Sequence, residues 1–130
     1  MPVQIVPTPH APGAAGPYSP AVRAGDWLVL AGQLGLDPGS GALVSDEVGA
    51  QTAQALANVS AVLGDCGASL AEVAKATVFL VDMGDFALMN AAYTEAFAGH
   101  KPARTTIGVA ALPLGGRVEI EVWAHHPLRA

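Results

Sequence analysis

Hydrophobic and polar positions divide the first third of the chain into a loop and a buried strand. Residues 7–20 are rich in Pro, Gly and Ala and predict a loop. Pro17 and Pro20 restrict the backbone around Tyr18, so that its ring is presented at low entropic cost. Residues 27–33 are apolar at successive positions, which predicts a strand that is covered on both faces.

Two amphipathic helices are expected further along the chain. Residues 46–66 carry apolar side chains every three or four positions, and residues 85–98 repeat this spacing after Asp85, a good N-cap. The first buried stripe comprises Val48, Thr52, Leu56, Val59 and Leu63, and the second Phe86, Met89, Tyr93 and Phe97. Gly67 and Gly99 favour helix ends. A short turn at 70–73 and a strand at 74–81 are expected between the helices.

Two strands, about 104–111 and 117–125, are expected at the end of the chain, joined by residues 112–116. In the second, small and aliphatic residues at even positions alternate with Glu119, Glu121, Trp123 and His125 at odd positions. The order β-β-α-β-α-β-β predicts one α+β domain over residues 1–130, with two helices on one face of a mixed sheet. Since the other face is not uniformly polar, we expect another subunit to cover it.

Composition supports an oligomer over a membrane protein. Hydrophobic residues make up 52% of the chain and charged residues 13%, yet the apolar stretches end well short of the ~20 residues that span a bilayer. A net charge of −5 without a Lys/Arg cluster argues against nucleic-acid binding. Cys66 is the single cysteine and the N-terminus shows no secretory signal, so we expect a cytoplasmic protein without an internal disulfide.

Most kinds of catalytic site find little support in the sequence. His125 and His126 are adjacent on a predicted strand and point to opposite faces, which disfavours a shared metal ion. Cys66 ends a helix, where the negative end of the dipole raises a thiol pKa. No nucleophile elbow, phosphate loop or dinucleotide fingerprint is visible.

Arg104 and Glu119 remain as candidates for chemistry. Arg104 follows Pro102 at the start of a strand, where a guanidinium suits bidentate capture of a carboxylate. Glu119 lies on the next strand and can act as a general base or acid. The short link makes these strands expected neighbours, so the two side chains could meet. Arg104 could equally be a surface or ion-paired residue, and Glu119 an exposed residue or a partner of an arginine.

Six segments, in order, resemble the signature blocks of the RidA/YjgF (L-PSP) family of imine deaminases. They are Gly16–Pro20, Ala31–Gly35, Ala74–Leu80, Asp85–Phe86 with Asn90–Tyr93, Lys101–Thr105 and Val118–Glu121. The resemblance covers nearly the whole chain. It implies a chorismate-mutase-like subunit that assembles as a homotrimer, with ligand sites in the clefts between subunits.

The resemblance also implies an activity, that of a 2-iminobutanoate/2-iminopropanoate deaminase. Such enzymes hydrolyse reactive 2-imino or enamino acids, of the 2-aminoacrylate and 2-iminobutyrate type, to 2-keto acids and ammonia. By position, Arg104 would pair with the substrate carboxylate and Glu119 would activate the attacking water. Substrate binding would also involve Tyr18, Asn90 and the backbone at Gly32 and Thr106. No metal or organic cofactor is implied.

Two positions depart from the family pattern. Ala31 stands where many active members have Ser, and Thr106 stands where many have Cys; the loop before Pro102 is also shorter. A non-catalytic binder of small 2-keto or imino acids is the main alternative. An endoribonuclease-type activity and a structural or chaperone-like trimer are further alternatives, and the acidic balance counts against the first of these.

Overall fold

The computed structural model describes residues 2–128, which form seven strands and two α-helices. The strands are β1 (Gln4–Ile5), β2 (Ala21–Ala24), β3 (Trp27–Leu30), β4 (Gln33–Leu34), β5 (Val73–Leu80), β6 (Ala103–Gly108) and β7 (Val118–His125). The helices are α1 (Val48–Asp65) and α2 (Phe86–Phe97). Short 3-10 turns precede β5, α2 and β7, at Leu70–Glu72, Met83–Asp85 and Pro113–Gly115.

All seven strands form one mixed sheet. The order is β1-β2-β3-β7-β5-β6, and β4 also pairs with β7. β5 and β6 run parallel, whereas the other pairs are antiparallel. The predicted α+β class, with both helices on one face of a mixed sheet, is confirmed. The strand predicted at 27–33 is divided into β3 and β4, and four short strands precede α1 where the pattern predicted two.

The prediction that the last two strands are neighbours is wrong, because β5 lies between them. The link from β6 to β7 passes the end of β5: the Val109 N–H donates to the Leu80 carbonyl at 2.8 Å, and the Val81 N–H donates to the Arg117 carbonyl at 3.2 Å. Crossing one intervening strand requires roughly 10 Å. The residues between the two strands span that distance easily, so the short connection does not require β6 and β7 to pair with each other.

The core lies between the sheet and the helices. Every member of the stripe predicted for α1 is buried, as are Val118, Ile120, Val122 and Ala124 of β7. In α2, Met89, Tyr93 and Phe97 are buried, but Phe86 is 38% exposed and is therefore not a core residue. Asp85 occupies the N-cap position without a side-chain cap, because its carboxylate accepts a hydrogen bond from Arg117 Nη1 at 3.1 Å.

Two buried polar side chains of α1 form hydrogen bonds with the segment that follows β3 and with the residue that precedes β7. Asn58 Nδ2 donates to the carbonyls of Leu34 and Leu36, at 3.1 and 2.9 Å. Gln51 Oε1 accepts from the Arg117 N–H at 2.8 Å, which joins α1 to the start of β7. A Cβ atom at Gly35 would lie 2.6 Å from the Gln51 carbonyl oxygen, so only glycine permits this approach. These contacts fix the backbone beside Glu119.

Within residues 2–128, no helix covers the second face of the sheet. It carries several exposed apolar side chains, namely Ile5, Trp27, Ile107 and Trp123, the last of which is 47% exposed. Trp27 and Trp123 contact each other edge to face, with ring centroids 6.4 Å apart. Within residues 2–128, no helix is both long and apolar enough to cross a bilayer. An apolar sheet face of this kind is typical of a subunit interface; the homotrimer itself stays a prediction.

Candidate active site

Arg104 lies on the helix-covered face of the sheet, against the aromatic side chains of α2. In register it pairs with Ala76, which is fully buried beneath the helices. Its guanidinium carbon lies 4.7 Å from the ring centroid of Tyr93 and 5.6 Å from that of Phe86. These distances are typical of cation–π contacts. Within residues 2–128, the guanidinium makes no ion pair, so its hydrogen-bonding edges remain available.

A concavity of about 340 Å³ surrounds this guanidinium. It is lined by Asn90, Tyr93, Thr94, Lys101, Pro102 and Arg104. Among the described residues, three buried side-chain oxygens lack a hydrogen-bond partner, and all three belong to α2 or β6: Asn90 Oδ1, Tyr93 OH and Thr106 Oγ1. Buried polar atoms are nearly always hydrogen-bonded in native proteins. This half of the site is therefore chemically incomplete in the isolated chain.

Tyr93 occupies the core position that its spacing predicted, and it also lines the Arg104 concavity, which its spacing did not indicate. The residue is 7% exposed, and burial raises the pKa of its hydroxyl, although the nearby Arg104 opposes this. The hydroxyl therefore stays protonated at neutral pH. The residue type itself indicated more than a core position, because the hydroxyl of a buried Tyr usually needs a hydrogen-bond partner.

Glu119 lies on the opposite face of the sheet, in a second concavity of about 250 Å³. Tyr18 and Gly32 line the same concavity, together with Gln33, Leu34 and Leu114. The Tyr18 hydroxyl accepts a hydrogen bond from the Ala15 N–H at 3.2 Å, and its half-exposed ring borders the opening. Three of the predicted site residues are thus together.

Gly32 allows the Glu119 carboxylate to lie against the backbone. A Cβ atom at position 32 would be 2.8 Å from both Cγ and Cδ of Glu119. Burial raises the pKa of Glu119, and the neighbouring charge of Glu121 raises it further. A carboxyl group with a raised pKa exchanges a proton closer to neutral pH than an exposed one does. The geometry and the protonation equilibrium both suit acid–base chemistry.

The loop that carries Tyr18 is anchored to the end of α1. His10 Nδ1 lies 2.5 Å from Asp65 Oδ1, and the His10 N–H donates to Asp65 Oδ2 at 3.0 Å. These hydrogen bonds from His10 lower the pKa of Asp65. The paired contact fixes the start of the loop relative to α1.

Neither a metal cluster nor a reactive thiol is apparent in the described part of the chain. Residues 2–128 contain no group of three or more His, Cys, Asp or Glu side chains placed to hold a metal ion. Burial raises the pKa of the free Cys66 thiol, with Arg23 opposing the shift. The direction predicted from the helix end is therefore correct, and burial is its main cause.

The structure thus separates the predicted site into two half-sites. The first, the Arg104 half-site, comprises Arg104, Asn90, Tyr93 and Thr106; the second, the Glu119 half-site, comprises Glu119, Tyr18 and Gly32. The two half-sites face opposite sides of the sheet. Arg104 pairs with Ala76, at an even-numbered position of β5, and Glu119 pairs with Phe79, at an odd-numbered one, and such positions point to opposite faces. The expectation that Arg104 and Glu119 meet within one chain is therefore wrong.

Comparison with known proteins identifies the family. Residues 8–126 match the family model described as Endoribonuclease L-PSP. This chain belongs to the RidA/YjgF (L-PSP) family. The human 2-iminobutanoate/2-iminopropanoate deaminase is 44% identical over 121 residues, which are 93% of this chain and 88% of the human protein.

Other members of the family include proteins that carry no activity in their names. RutC family protein PH0854 of Pyrococcus horikoshii is 44% identical over 122 residues, covering 94% of this chain and 97% of that protein. The crystal structure of the YjgF gene product from E. coli has a TM-score of 0.89 at 37% identity, covering 94% of this chain and 98% of that one. Fold and family are therefore shown over nearly the whole chain.

Gly32→Ala is expected to displace the Glu119 carboxylate without unfolding the protein. The added methyl group overlaps the end of a flexible side chain, which can rotate away. Gly13→Ala is the matched control, because Gly13 lines the same concavity and a Cβ atom there meets nothing within 4 Å. Crystal structures and melting temperatures of both variants check this. An undisturbed carboxylate in Gly32→Ala would contradict the steric argument.

Proposed function

We propose that this protein hydrolyses reactive 2-imino or enamino acids, of the 2-aminoacrylate and 2-iminobutyrate type, to 2-keto acids and ammonia. The observation that carries the proposal is the state of Arg104, a half-buried guanidinium that stacks on two aromatic rings and has no acidic partner within residues 2–128. Such a cation is prepared for a substrate carboxylate. The deaminase names of relatives at 44–46% identity support the same reaction.

The reaction needs one water molecule and no change of oxidation state. Arg104 of one copy holds the substrate carboxylate through two parallel hydrogen bonds, which places the imine carbon next to the Glu119 carboxylate of another copy. Glu119 takes a proton from water as the water oxygen forms a bond to the imine carbon, and it passes this proton to the imine nitrogen to give a carbinolamine. Glu119 then moves the proton of the carbinolamine hydroxyl to the amino group, so that the C–N bond breaks, ammonia leaves, and the C–O bond becomes the carbonyl of the keto acid.

The proposal includes a homotrimer with its active sites between subunits. A cleft that joins the Arg104 half-site of one copy to the Glu119 half-site of the next would unite the two groups. The exposed apolar side chains of the second sheet face and the three unpartnered oxygens of α2 and β6 both support this assembly. Tyr18 and the backbone at Gly32 would then enclose the substrate from one side, and Asn90 and Thr106 from the other. The free Cys66 thiol agrees with the cytoplasmic location that we include in the proposal.

A non-catalytic binder is the second candidate, because capture of a 2-keto acid carboxylate would use Arg104 and would not require Glu119. The name of the matched family model suggests RNA cleavage instead. The net charge of −5 disfavours that activity, because RNA binding depends on cations that neutralise phosphates. The binder and the deaminase differ in their dependence on Glu119.

Arg104→Ala and Glu119→Gln are expected to lose activity in different ways. An amino-acid oxidase generates the imine in the assay, and semicarbazide traps the imine that escapes hydrolysis. Arg104→Ala should lower kcat/KM by roughly a hundredfold, since a charge-assisted bidentate contact is lost. Glu119→Gln should lower kcat by roughly 10²–10⁴-fold while binding of 2-oxobutyrate is kept.

Arg117→Lys serves as the control, because Arg117 pairs with Asp85 outside both half-sites. If the wild-type protein binds 2-oxobutyrate but leaves trapping unchanged for every imine, the deaminase proposal is wrong and the binder is correct.

In the pH profile of kcat, we expect the acidic fall in kcat at a pH above the usual glutamate pKa of about 4.3. Burial and Glu121 raise the pKa of Glu119, so the active carboxylate form is lost as the pH falls through this raised value. Glu121→Gln removes the like charge and should move this fall to lower pH, with the plateau rate unchanged. If kcat falls at the same pH in Glu121→Gln as in the wild type, a group other than Glu119 is the base.

A further inference from the structure

The basic side chains of residues 2–128 fall into two classes. Three have hydrogen-bond partners: Arg23 donates to the carbonyls of Gly25 and His126, Lys75 to the Thr105 hydroxyl, and Arg117 to the Asp85 carboxylate. The other two are Arg104 and Lys101, which have no hydrogen bond or ion pair within the described residues. Both line the concavity of the Arg104 half-site.

Among residues 2–128, no acidic side chain lines this concavity. Its other lining residues are Asn90, Tyr93, Thr94 and Pro102. The nearest acidic residue along α2, Glu95, lines a different groove, formed with α1. Two positively charged side chains that line one concavity, with no protein partner among residues 2–128, favour an anion that reaches both.

A substrate with a single carboxylate is not expected to pair with Arg104 and Lys101 at the same time. A bidentate contact with Arg104 would take one lone pair on each carboxylate oxygen and hold the carboxylate in the plane of the guanidinium, whereas Lys101 presents a point charge on a flexible stem that can reach a second group. The α-carboxylate of an imino acid therefore occupies Arg104 and leaves Lys101 free. A second acidic group further along the substrate would pair with Lys101, and the flexible stem tolerates different side-chain lengths.

We propose that the preferred substrates are 2-imino dicarboxylates, the imines of acidic amino acids, with the α-carboxylate on Arg104 and the side-chain carboxylate on Lys101. The inference rests on the proposed deaminase function and makes Lys101 its specificity-determining residue. The hydrolysis is the one described above, with the second carboxylate unchanged between substrate and product.

The test compares two imines in the trapping assay. A glutamate oxidase supplies 2-iminoglutarate and a broad amino-acid oxidase supplies 2-iminobutyrate. Lys101→Met keeps the length of the side chain and removes its charge. We expect it to lower kcat/KM for 2-iminoglutarate roughly five- to tenfold and to leave 2-iminobutyrate within about twofold. Lys75→Met is the matched control, because Lys75 projects from β5 and contacts Thr105 instead of lining the concavity.

Three results would overturn this inference. One is an equal loss on both imines, and another is a change in the mass of the assembly on light scattering, which would mean that Lys101 pairs within the oligomer. The third is activity on 2-iminobutyrate with no selective effect of Lys101→Met on 2-iminoglutarate; here the deaminase proposal would stand.

A binding experiment separates failure of the inference from failure of the proposed function. Calorimetry measures the Kd of 2-oxoglutarate and of 2-oxobutyrate for the wild type and for Lys101→Met. If neither imine is hydrolysed, a selective loss of 2-oxoglutarate affinity in the variant still supports two-cation recognition. Equal affinities in the two proteins would contradict it.

Discussion

Side chains of a β-strand alternate between the two faces of a sheet, and the chemistry of this chain depends on that alternation. The pairing of β5 with β6 places Arg104 beside Ala76, on the face that the helices cover. The pairing of β5 with β7 places Glu119 beside Phe79, on the opposite face. Backbone hydrogen bonds fix both registers, so no side-chain rotation brings the guanidinium and the carboxylate together. Within residues 2–128, neither half-site therefore contains both groups.

The aromatic contacts of Arg104 explain how a cation is kept available on a largely buried face. Contacts with Tyr93 and Phe86, worth about 0.5–2 kcal/mol each, stabilise the guanidinium through its flat faces. A carboxylate partner would bind its edges and compete with substrate. The aromatic rings instead position the group while its hydrogen-bonding edges stay open, which is the arrangement that capture of a carboxylate requires.

Local pattern predicted much of the fold. The stripe of α1 and the alternation along β7 follow from spacings of 3.6 and 2 residues, and both lie as expected. The insertion of β5 between β6 and β7 could not be predicted in this way, because it depends on pairing between distant segments. Asp85 and Phe86 are residue types that suit the start of a helix. In the structure, however, the Asp85 carboxylate accepts a hydrogen bond from Arg117, and the Phe86 ring contacts the guanidinium of Arg104.

The candidate site was predictable residue by residue but not as an arrangement. Resemblance to the family identified Arg104, Glu119, Tyr18, Gly32, Asn90 and Thr106, and these fall into two groups on the two faces. The roles of Tyr93 and Lys101 lay outside that prediction. By its spacing Tyr93 resembles a core residue, and Lys101 resembles a solvated loop residue. The contact of Tyr93 with Arg104, and the concavity that Lys101 shares with Arg104, are visible only in the three-dimensional structure.

The central claim, that Arg104 and Glu119 act across a subunit boundary, is tested most directly by mixing two inactive variants. Arg104→Ala and Glu119→Gln are denatured together in equal amounts and refolded, and deaminase activity is compared with that of each variant alone. Random assortment leaves about a quarter of the clefts with both residues intact, so the mixture should regain about a quarter of the wild-type activity. A mixture as inactive as its components would contradict the shared site.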